Sequence, residues 1–104
     1  TAHRFYKSIC QSSASDLRDM FIDAAVRYAE CRVTWMIADR EERGRLEQAR
    51  TRAHDAFIDM CNMMARAMAA AGEDASWRDD LGQDRKVIGD FACYIHLFLG
   101  LQAR

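Results

Sequence analysis

The sequence predicts an all-α protein, a compact bundle of about four helices with a long antiparallel helical hairpin as its spine. The 104 residues contain no proline and only five glycines, so few residues that break helices are present. Half of the residues are apolar and 30% are charged, which is typical of a folded globular domain. Apolar residues also recur every three or four positions over long stretches, which is the spacing of one helix face.

A chain of this length is expected to form a single helical domain, 1–104, with its own core. Its formal net charge is −1, from 15 basic and 16 acidic residues. This balance gives no general attraction to nucleic acids or to anionic membranes. No apolar run approaches the roughly 20 residues that a membrane-spanning helix needs, and no signal peptide is recognisable. We therefore expect a cytoplasmic protein.

The first predicted helix covers residues 3–11 and is short. Phe5 and Tyr6 give it an aromatic edge, followed by Ile9 and Cys10. This spacing allows the helix to lay its aromatic edge across the bundle.

The second helix is predicted over residues 14–43. Ser13, with Asp16 three residues later, approximates a capping box at its start. Its apolar positions step by four and three residues without a break: Leu17, Phe21, Ala24, Tyr28, Cys31, Trp35 and Ala38. This pattern predicts antiparallel packing against the helix that follows.

The central helix, predicted over residues 45–71, is the element against which the others pack. Its main apolar stripe is formed by Leu46, Ala49, Ala53, Phe57, Met60, Met64 and Met68. Gly72 follows the stripe as the expected C-terminal cap. From Ala56 to Ala71 apolar residues spread beyond one stripe, so we expect this half to be buried on several sides.

Gly44 is the predicted break between the two long helices, in a charged tip that spans residues 39–45. One alternative is a helix that continues straight through, since charged stretches of this kind readily stay helical. Such a helix would leave two wide apolar faces uncovered within a monomer, which an intertwined dimer would solve in another way.

A loop is predicted over residues 72–83, with a single helical turn from Ser76 to Leu81 and Trp77 under the end of the bundle. The last helix is predicted over residues 84–103. Its inward residues are expected to be Val87, Ile88, Phe91, Ile95, Phe98 and Leu99. A separate line of mostly small residues predicts a tight helix crossing or a subunit contact, and comprises Gly89, Cys93, His96 and Gly100.

Four cysteines are spaced too widely for a Cys-x-x-Cys redox or zinc pair. They are Cys10, Cys31, Cys61 and Cys93. We expect reduced thiols that pack as small hydrophobic side chains in a cytosolic protein, with a disulfide framework as the alternative.

The densest polar face lies on the central helix and supplies the candidate site. Its ligand- or partner-binding candidates are Arg52, His54, Asp55, Asp59, Asn62 and Arg66. Asp55 and Asp59 are like charges four residues apart, which is slightly destabilising on an exposed helix unless arginines compensate. The pattern fits a salt-bridged solvated face, a small polar pocket or a partner-binding surface.

Metal or acid–base chemistry on this face is a further alternative. Asp19 and Asp23 form a second pair, and carboxylate oxygens suit Mg²⁺ or Mn²⁺. The antiparallel register, however, places the two aspartate pairs about 15 Å apart at 1.5 Å per residue. Helical di-metal proteins use Glu-x-x-His pairs, and none occurs in the sequence. We therefore expect no metal and no cofactor.

Two other features favour structural roles. Five arginines crowd the hairpin tip, but four acidic residues dilute them to a net charge of +1, which disfavours nucleic-acid binding. Four methionines on the central helix offer an adaptable apolar groove, although their spacing favours core packing. They are Met60, Met63, Met64 and Met68.

The run Arg50-x-x-x-His54-Asp55-x-Phe57-Ile58-x-x-x-Asn62 resembles short bacterial all-helical proteins of uncharacterised function, and implies only a small helical bundle. The sequence carries more apolar surface than its helices can cover. This excess favours a non-enzymatic helical interaction or regulatory module that forms a homodimer, with another protein as a further partner. The alternative is a small metal- or ligand-binding enzyme that uses the polar face of the central helix.

Overall fold

The computed structural model describes residues 2–102, which form five α-helices, four of them long. They are α1 (Ala2–Cys10), α2 (Ser15–Ile37), α3 (Arg40–Ala70), α4 (Trp77–Leu81) and α5 (Arg85–Gln102). No strand occurs within the described range, so the predicted all-α class is confirmed. Residue 103, the predicted end of the last helix, lies outside it. None of the helices in this range combines the length and apolar character needed to cross a bilayer.

The long hairpin predicted as the spine is confirmed, since α2 and α3 make the most extensive helix pair of the fold. α5 packs against α2, while α1 contacts both α4 and α5. The short helix α4 matches the single turn predicted within the loop. Together these elements cover one side of the hairpin.

The hairpin turns at Asp39, and the predicted break at Gly44 is wrong. α2 ends at Ile37 and α3 begins at Arg40. Asp39 caps α3, because its Oδ1 accepts a hydrogen bond of 2.8 Å from the backbone N–H of Glu42. An aspartate in this position satisfies a free N–H of the first helical turn and contributes about 1 kcal/mol. Gly44 is instead accommodated inside α3.

Arg43 holds the two sides of this turn together. Its Nε donates to the carbonyl oxygen of Trp35 at 3.1 Å, and its Nη2 donates to that of Met36 at 2.7 Å. These are carbonyl groups of the last turn of α2, where such groups lack the usual partner four residues ahead; that of Trp35 also accepts a hydrogen bond of 3.3 Å from the N–H of Ala38. The turn is therefore stabilised by side chains from α3 and does not need a glycine.

The start of α2 also differs from the prediction. Ala14 occupies the N-cap position and no side chain caps the helix. Ser13, predicted to cap it, donates to Glu73 from both its hydroxyl and its backbone N–H, at 2.9 Å each. Ser12 donates to the same carboxylate at 2.7 Å. The two serines thus join the α1–α2 connection to the segment after α3.

The C-terminal end of α3 follows the prediction. Gly72 adopts a φ of 75°, a left-handed conformation that glycine reaches without strain. The N–H of Glu73 donates to the carbonyl of Met68, and that of Gly72 donates to Ala69. This pair of hydrogen bonds is the Schellman motif, which ends a helix by satisfying its last carbonyl groups.

The core is an aromatic cluster where α2, α3, α4 and α5 meet. The Phe21 ring lies 5.4 Å from Phe57, 6.1 Å from Trp77 and 6.2 Å from Phe91, centroid to centroid. All four side chains are buried, which confirms the predicted place of Trp77. Aromatic pairs at this spacing contribute about 0.5 to 1.5 kcal/mol each beyond the burial of their surface.

On α5, three of the six predicted inward residues are buried: Ile88, Phe91 and Ile95. Val87 is 44% exposed, so its predicted inward position is wrong. Phe98 and Leu99 pack partly buried against the core.

The line of small residues predicted on α5 makes room for the side chain of Arg32 from α2. A Cβ placed on Gly89 would lie 2.8 Å from Nε of Arg32, so the missing side chain makes room for this guanidinium. Arg32 also contacts Cys93, with 3.5 Å between Nη1 and Sγ. His96, expected in the core or at an interface, is exposed in the monomer. The surroundings of Gly100 lie outside the described residues.

Candidate functional site

The six predicted site residues differ in burial and in the groups they contact. Arg52, Asp55, Asp59 and Arg66 are exposed, while His54 and Asn62 are partly buried. Asp55 has a side chain that is 70% exposed, and Arg52 lies in a groove between α2 and α3. The six residues follow one helix face and do not meet in one pocket.

His54 and Asn62 make contacts that anchor neighbouring elements. The ring of His54 lies edge-on to that of Tyr28, with centroids 5.3 Å apart, and its Nδ1 is 3.1 Å from Oδ1 of Asp55. Asn62 accepts a hydrogen bond of 2.7 Å from Nε of Arg78 in α4. Both contacts serve the packing of α3.

The carboxylates considered as metal ligands stand apart. Asp23 on α2 lies 3.2 Å from Nε of Arg27, one helical turn further along. Across residues 2–102, no three His, Cys, Asp or Glu side chains are grouped in a way that would hold a metal ion. Asp23 therefore acts as a solvated partner of arginine, with a side chain that is 65% exposed.

A groove runs between α2 and α3, and we call it the hairpin groove. It has a volume of about 420 Å³ and is lined only by residues of these two helices. Its floor consists of Ala24, Cys31, Ala53 and Ala56, and its rim of Asp23, Arg27, Glu30 and Arg52. Small side chains on the floor leave space for another helix to approach closely.

The groove continues into an apolar stripe on α3, which we call the outer stripe. It steps by four and three residues through Ala49, Ala53, Ala56, Met60, Met63 and Ala67. Met63 is 41% exposed, and each of the others is exposed or only half-buried. The expectation that this half of the helix is buried on several sides is therefore wrong, since α5 covers the other side of the hairpin.

A second depression, the arginine cleft, lies where α2, α3 and the start of α5 meet. Its volume is about 350 Å³. Its wall is formed chiefly by Tyr28, Arg32, Trp35, Arg50, Arg85 and Lys86. Sequence reasoning missed this cleft because it assigned Trp35 to the apolar stripe that faces the central helix and gave Arg50 no part in a site.

Two arginines stack on Trp35 beside the cleft. The Cζ atoms of Arg43 and Arg50 lie 4.6 Å and 4.1 Å from the ring centroid. Each such cation–π contact contributes about 0.5 to 2 kcal/mol. The indole is partly exposed at this position, so the ring and the two guanidinium groups form one stack at the edge of the bundle.

Two carboxylates pair with the cations of the cleft. Glu47 accepts a hydrogen bond of 2.8 Å from Arg50, and this bond, with the positive charge of Arg85, lowers the pKa of Glu47. Asp90 lies 3.1 Å from Lys86 and 3.0 Å from Arg32. Hydrogen bonds from Lys86 and then Arg32 lower the pKa of Asp90. The cleft is therefore an environment that favours anions.

Comparisons of the chain with protein-family models, with curated proteins and with solved structures find no match. The resemblance of residues 50–62 to short bacterial helical proteins accordingly stays a prediction. The class of the protein is a small all-helical bundle, and its distinctive surfaces are the hairpin groove, the outer stripe and the arginine cleft.

Proposed function

We propose that the protein is a non-enzymatic helical interaction module that forms a homodimer through the hairpin groove and the outer stripe. The observation that carries the proposal is the outer stripe itself. Six apolar positions at heptad spacing are left exposed or half-buried on the central helix, and a stripe of this kind is the surface by which helices associate. Met20 of α2, which is 55% exposed, adds to the apolar surface of the hairpin.

The shape of the groove favours a helix as its occupant. Two antiparallel helices leave a furrow between them, and a third helix packs there when the side chains on the floor are small. The floor is made of three alanines and a cysteine. A helix that lies in the groove would also cover the methionines of the outer stripe.

The charges of the rim favour a second copy of the chain as the partner. Asp23 and Glu30 supply two negative charges, and Arg27 and Arg52 supply two positive charges. In a two-fold dimer the same patch meets itself, so each acidic residue can face an arginine of the other subunit. A partner of one charge sign would leave two of these four residues facing a like charge.

The surroundings of the predicted polar residues support a non-enzymatic role. Asp55 is open to solvent, and Asn62 is engaged by Arg78. Four free thiols, one of them the fully buried Cys61, favour the reducing cytoplasm as the compartment.

Light scattering at several protein concentrations tests the proposal. The wild-type protein is expected to have twice the monomer mass of 11.9 kDa, and Met63→Glu is expected to be a monomer because it places a charge in the interface. The matched control is Met36→Glu, since Met36 is similarly exposed but lies at the arginine cleft. We expect this variant to remain a dimer.

A wild-type protein that stays monomeric at high concentration would remove the homodimer. A dimer that survives Met63→Glu and dissociates with Met36→Glu would move the interface away from the hairpin groove. Circular dichroism of both variants verifies that each is as helical as the wild type.

A further inference from the structure

Among the residues that the structure describes, the arginine cleft carries more positive than negative side chains. Four cationic side chains form its wall: Arg32, Arg50, Arg85 and Lys86. The two carboxylates that pair with them are Glu47 and Asp90. Four positive and two negative charges leave a net charge of +2 at the cleft. A dianion would balance it.

The cations retain hydrogen-bonding capacity. Nη2 of Arg50 binds Glu47, and Nε of the same guanidinium has no partner but is buried away from solvent, so Arg50 contributes its charge to the cleft and not this donor. Arg85 makes a long hydrogen bond of 3.4 Å to Thr51, and Lys86 is largely exposed beyond its contact with Asp90. The donors open to a ligand are therefore chiefly those of Arg85 and Lys86 on α5.

Two of the four cations are held in place by neighbouring side chains, and part of the cleft wall is apolar. Arg32 and Arg50 have largely buried side chains, held by Asp90 and by the ring of Trp35. Trp35, Tyr28 and Met36 supply the apolar part of the wall. A volume of about 350 Å³ lies at the lower end of the range for small-molecule pockets, and it is larger than a phosphate group alone requires.

We propose that the arginine cleft binds the phosphate group of a small phosphate ester. Guanidinium groups form paired, charge-assisted hydrogen bonds with phosphate oxygens. A phosphate monoester carries a charge of about −1.5 to −2 at neutral pH, which matches the excess charge of the cleft. The organic part of the ester would lie against Trp35 and Met36. The cleft is on another side of α2 from the hairpin groove, so this proposal is independent of the dimer.

Nuclear magnetic resonance can test the proposal through the indole N–H signals of the two tryptophans. Trp35 borders the cleft, whereas Trp77 is buried and its N–H faces Sδ of Met68, so Trp77 serves as an internal reference. The probes are phenyl phosphate, inorganic phosphate and benzoate, each titrated at constant ionic strength. We expect phenyl phosphate to shift the Trp35 signal with saturation and to bind at least about tenfold more tightly than benzoate, because a dianion meets more of the cations.

The double variant Arg85→Gln with Lys86→Gln removes two exposed cations of the cleft. We expect it to weaken the binding of phenyl phosphate by about tenfold or more, since two charge-assisted contacts are lost. Arg40→Gln with Arg45→Gln removes the same charge from exposed positions of the hairpin tip outside the cleft. This control is expected to change the affinity by less than about twofold.

Equal affinities for phenyl phosphate and inorganic phosphate would support a phosphate site and identify the free anion as its ligand. A linear shift without saturation, or equal affinities for phenyl phosphate and benzoate, would overturn the proposal. Equal losses of affinity in the two double variants would also overturn it, because the effect would then be one of net charge.

Discussion

The two apolar stripes of α3 have nearly the same sequence pattern and opposite surroundings. The inner stripe consists of Phe57, Cys61, Met64 and Met68, all fully buried. The outer stripe lies about a quarter of a turn away and is exposed or half-buried along its length. Both step by three and four residues, so periodicity alone does not distinguish them.

The difference lies in what faces each stripe. The inner stripe carries Phe57, which meets the aromatic rings of Phe21 and Phe91. The outer stripe carries alanines and two methionines, and within residues 2–102 the neighbouring helices leave it exposed or only half-buried. A helix that is apolar over a wide arc has more surface than one neighbouring layer can bury, and the remainder is available to a partner.

Adjacent methionines on the two stripes provide the largest expected effect. Met64→Ala should lower the free energy of unfolding by about 2 to 5 kcal/mol, because it removes a buried side chain and leaves a cavity. Met63→Ala should change the free energy of unfolding by less than about 0.5 kcal/mol. Urea denaturation at a concentration where both variants are monomeric measures the difference. Similar losses in the two variants would show that the stripes are equally buried.

A pair of glycines sharpens the comparison by locating the ends of α3, and with them the ends of both stripes. A Cβ at Gly44 would meet no atom beyond its own stretch of helix within 4 Å, so Gly44→Ala should stabilise the helix by about 0.5 to 1 kcal/mol. Gly72→Ala should destabilise the protein by about 1 to 2 kcal/mol, because its φ is 75° and alanine is strained there. Thermal unfolding of both variants measures these shifts. If Gly44→Ala instead lowered the melting temperature, the hairpin turn would have to lie at Gly44 and not at Asp39.

The smallest expected effect on stability is that of acid on Glu73, which lies just after α3 and belongs to neither stripe. Hydrogen bonds from Ser12 and then Ser13 lower the pKa of Glu73 below its ordinary value of 4.5. The ionised form is therefore favoured in the folded protein, and its stabilising contribution is complete above that value. As the pH falls below 4.5, the contribution is lost. The difference in melting temperature between wild type and Glu73→Gln should accordingly shrink in acid, and a constant difference would contradict it.

The spacing of apolar residues was sufficient to predict much of the fold. It placed Phe21 and Phe57 at the contact of the two long helices, because large side chains at helical spacing have to be buried. It also gave the helix end at Gly72, where the chain needs a positive φ that glycine allows. The hairpin turn was missed because Asp39 and Arg43 supply the caps, and a single glycine gave the stronger local signal.

The surfaces proposed to bind partners were less accessible to sequence reasoning. Sequence reasoning placed Ala49, Ala53 and Met60 of the outer stripe in the main apolar stripe of the central helix, because the number of layers that cover a helix is set by tertiary packing. The arginine cleft joins Arg32, Arg50 and Arg85 from three different helices, and no local pattern connects them. Gly89 gave a partial signal, since its missing side chain provides the space that Arg32 fills.

The most direct test of the central claim compares the methyl signals of Met63 and Met64 in the presence of a soluble paramagnetic compound. In dilute protein, the Met63 signal should broaden strongly and the Met64 signal should stay sharp, because only Met63 contacts solvent. In concentrated protein, the Met63 signal should become protected as a second copy covers the outer stripe. Equal broadening of both methionines in dilute protein, or broadening of Met63 that does not change with concentration, would contradict the account.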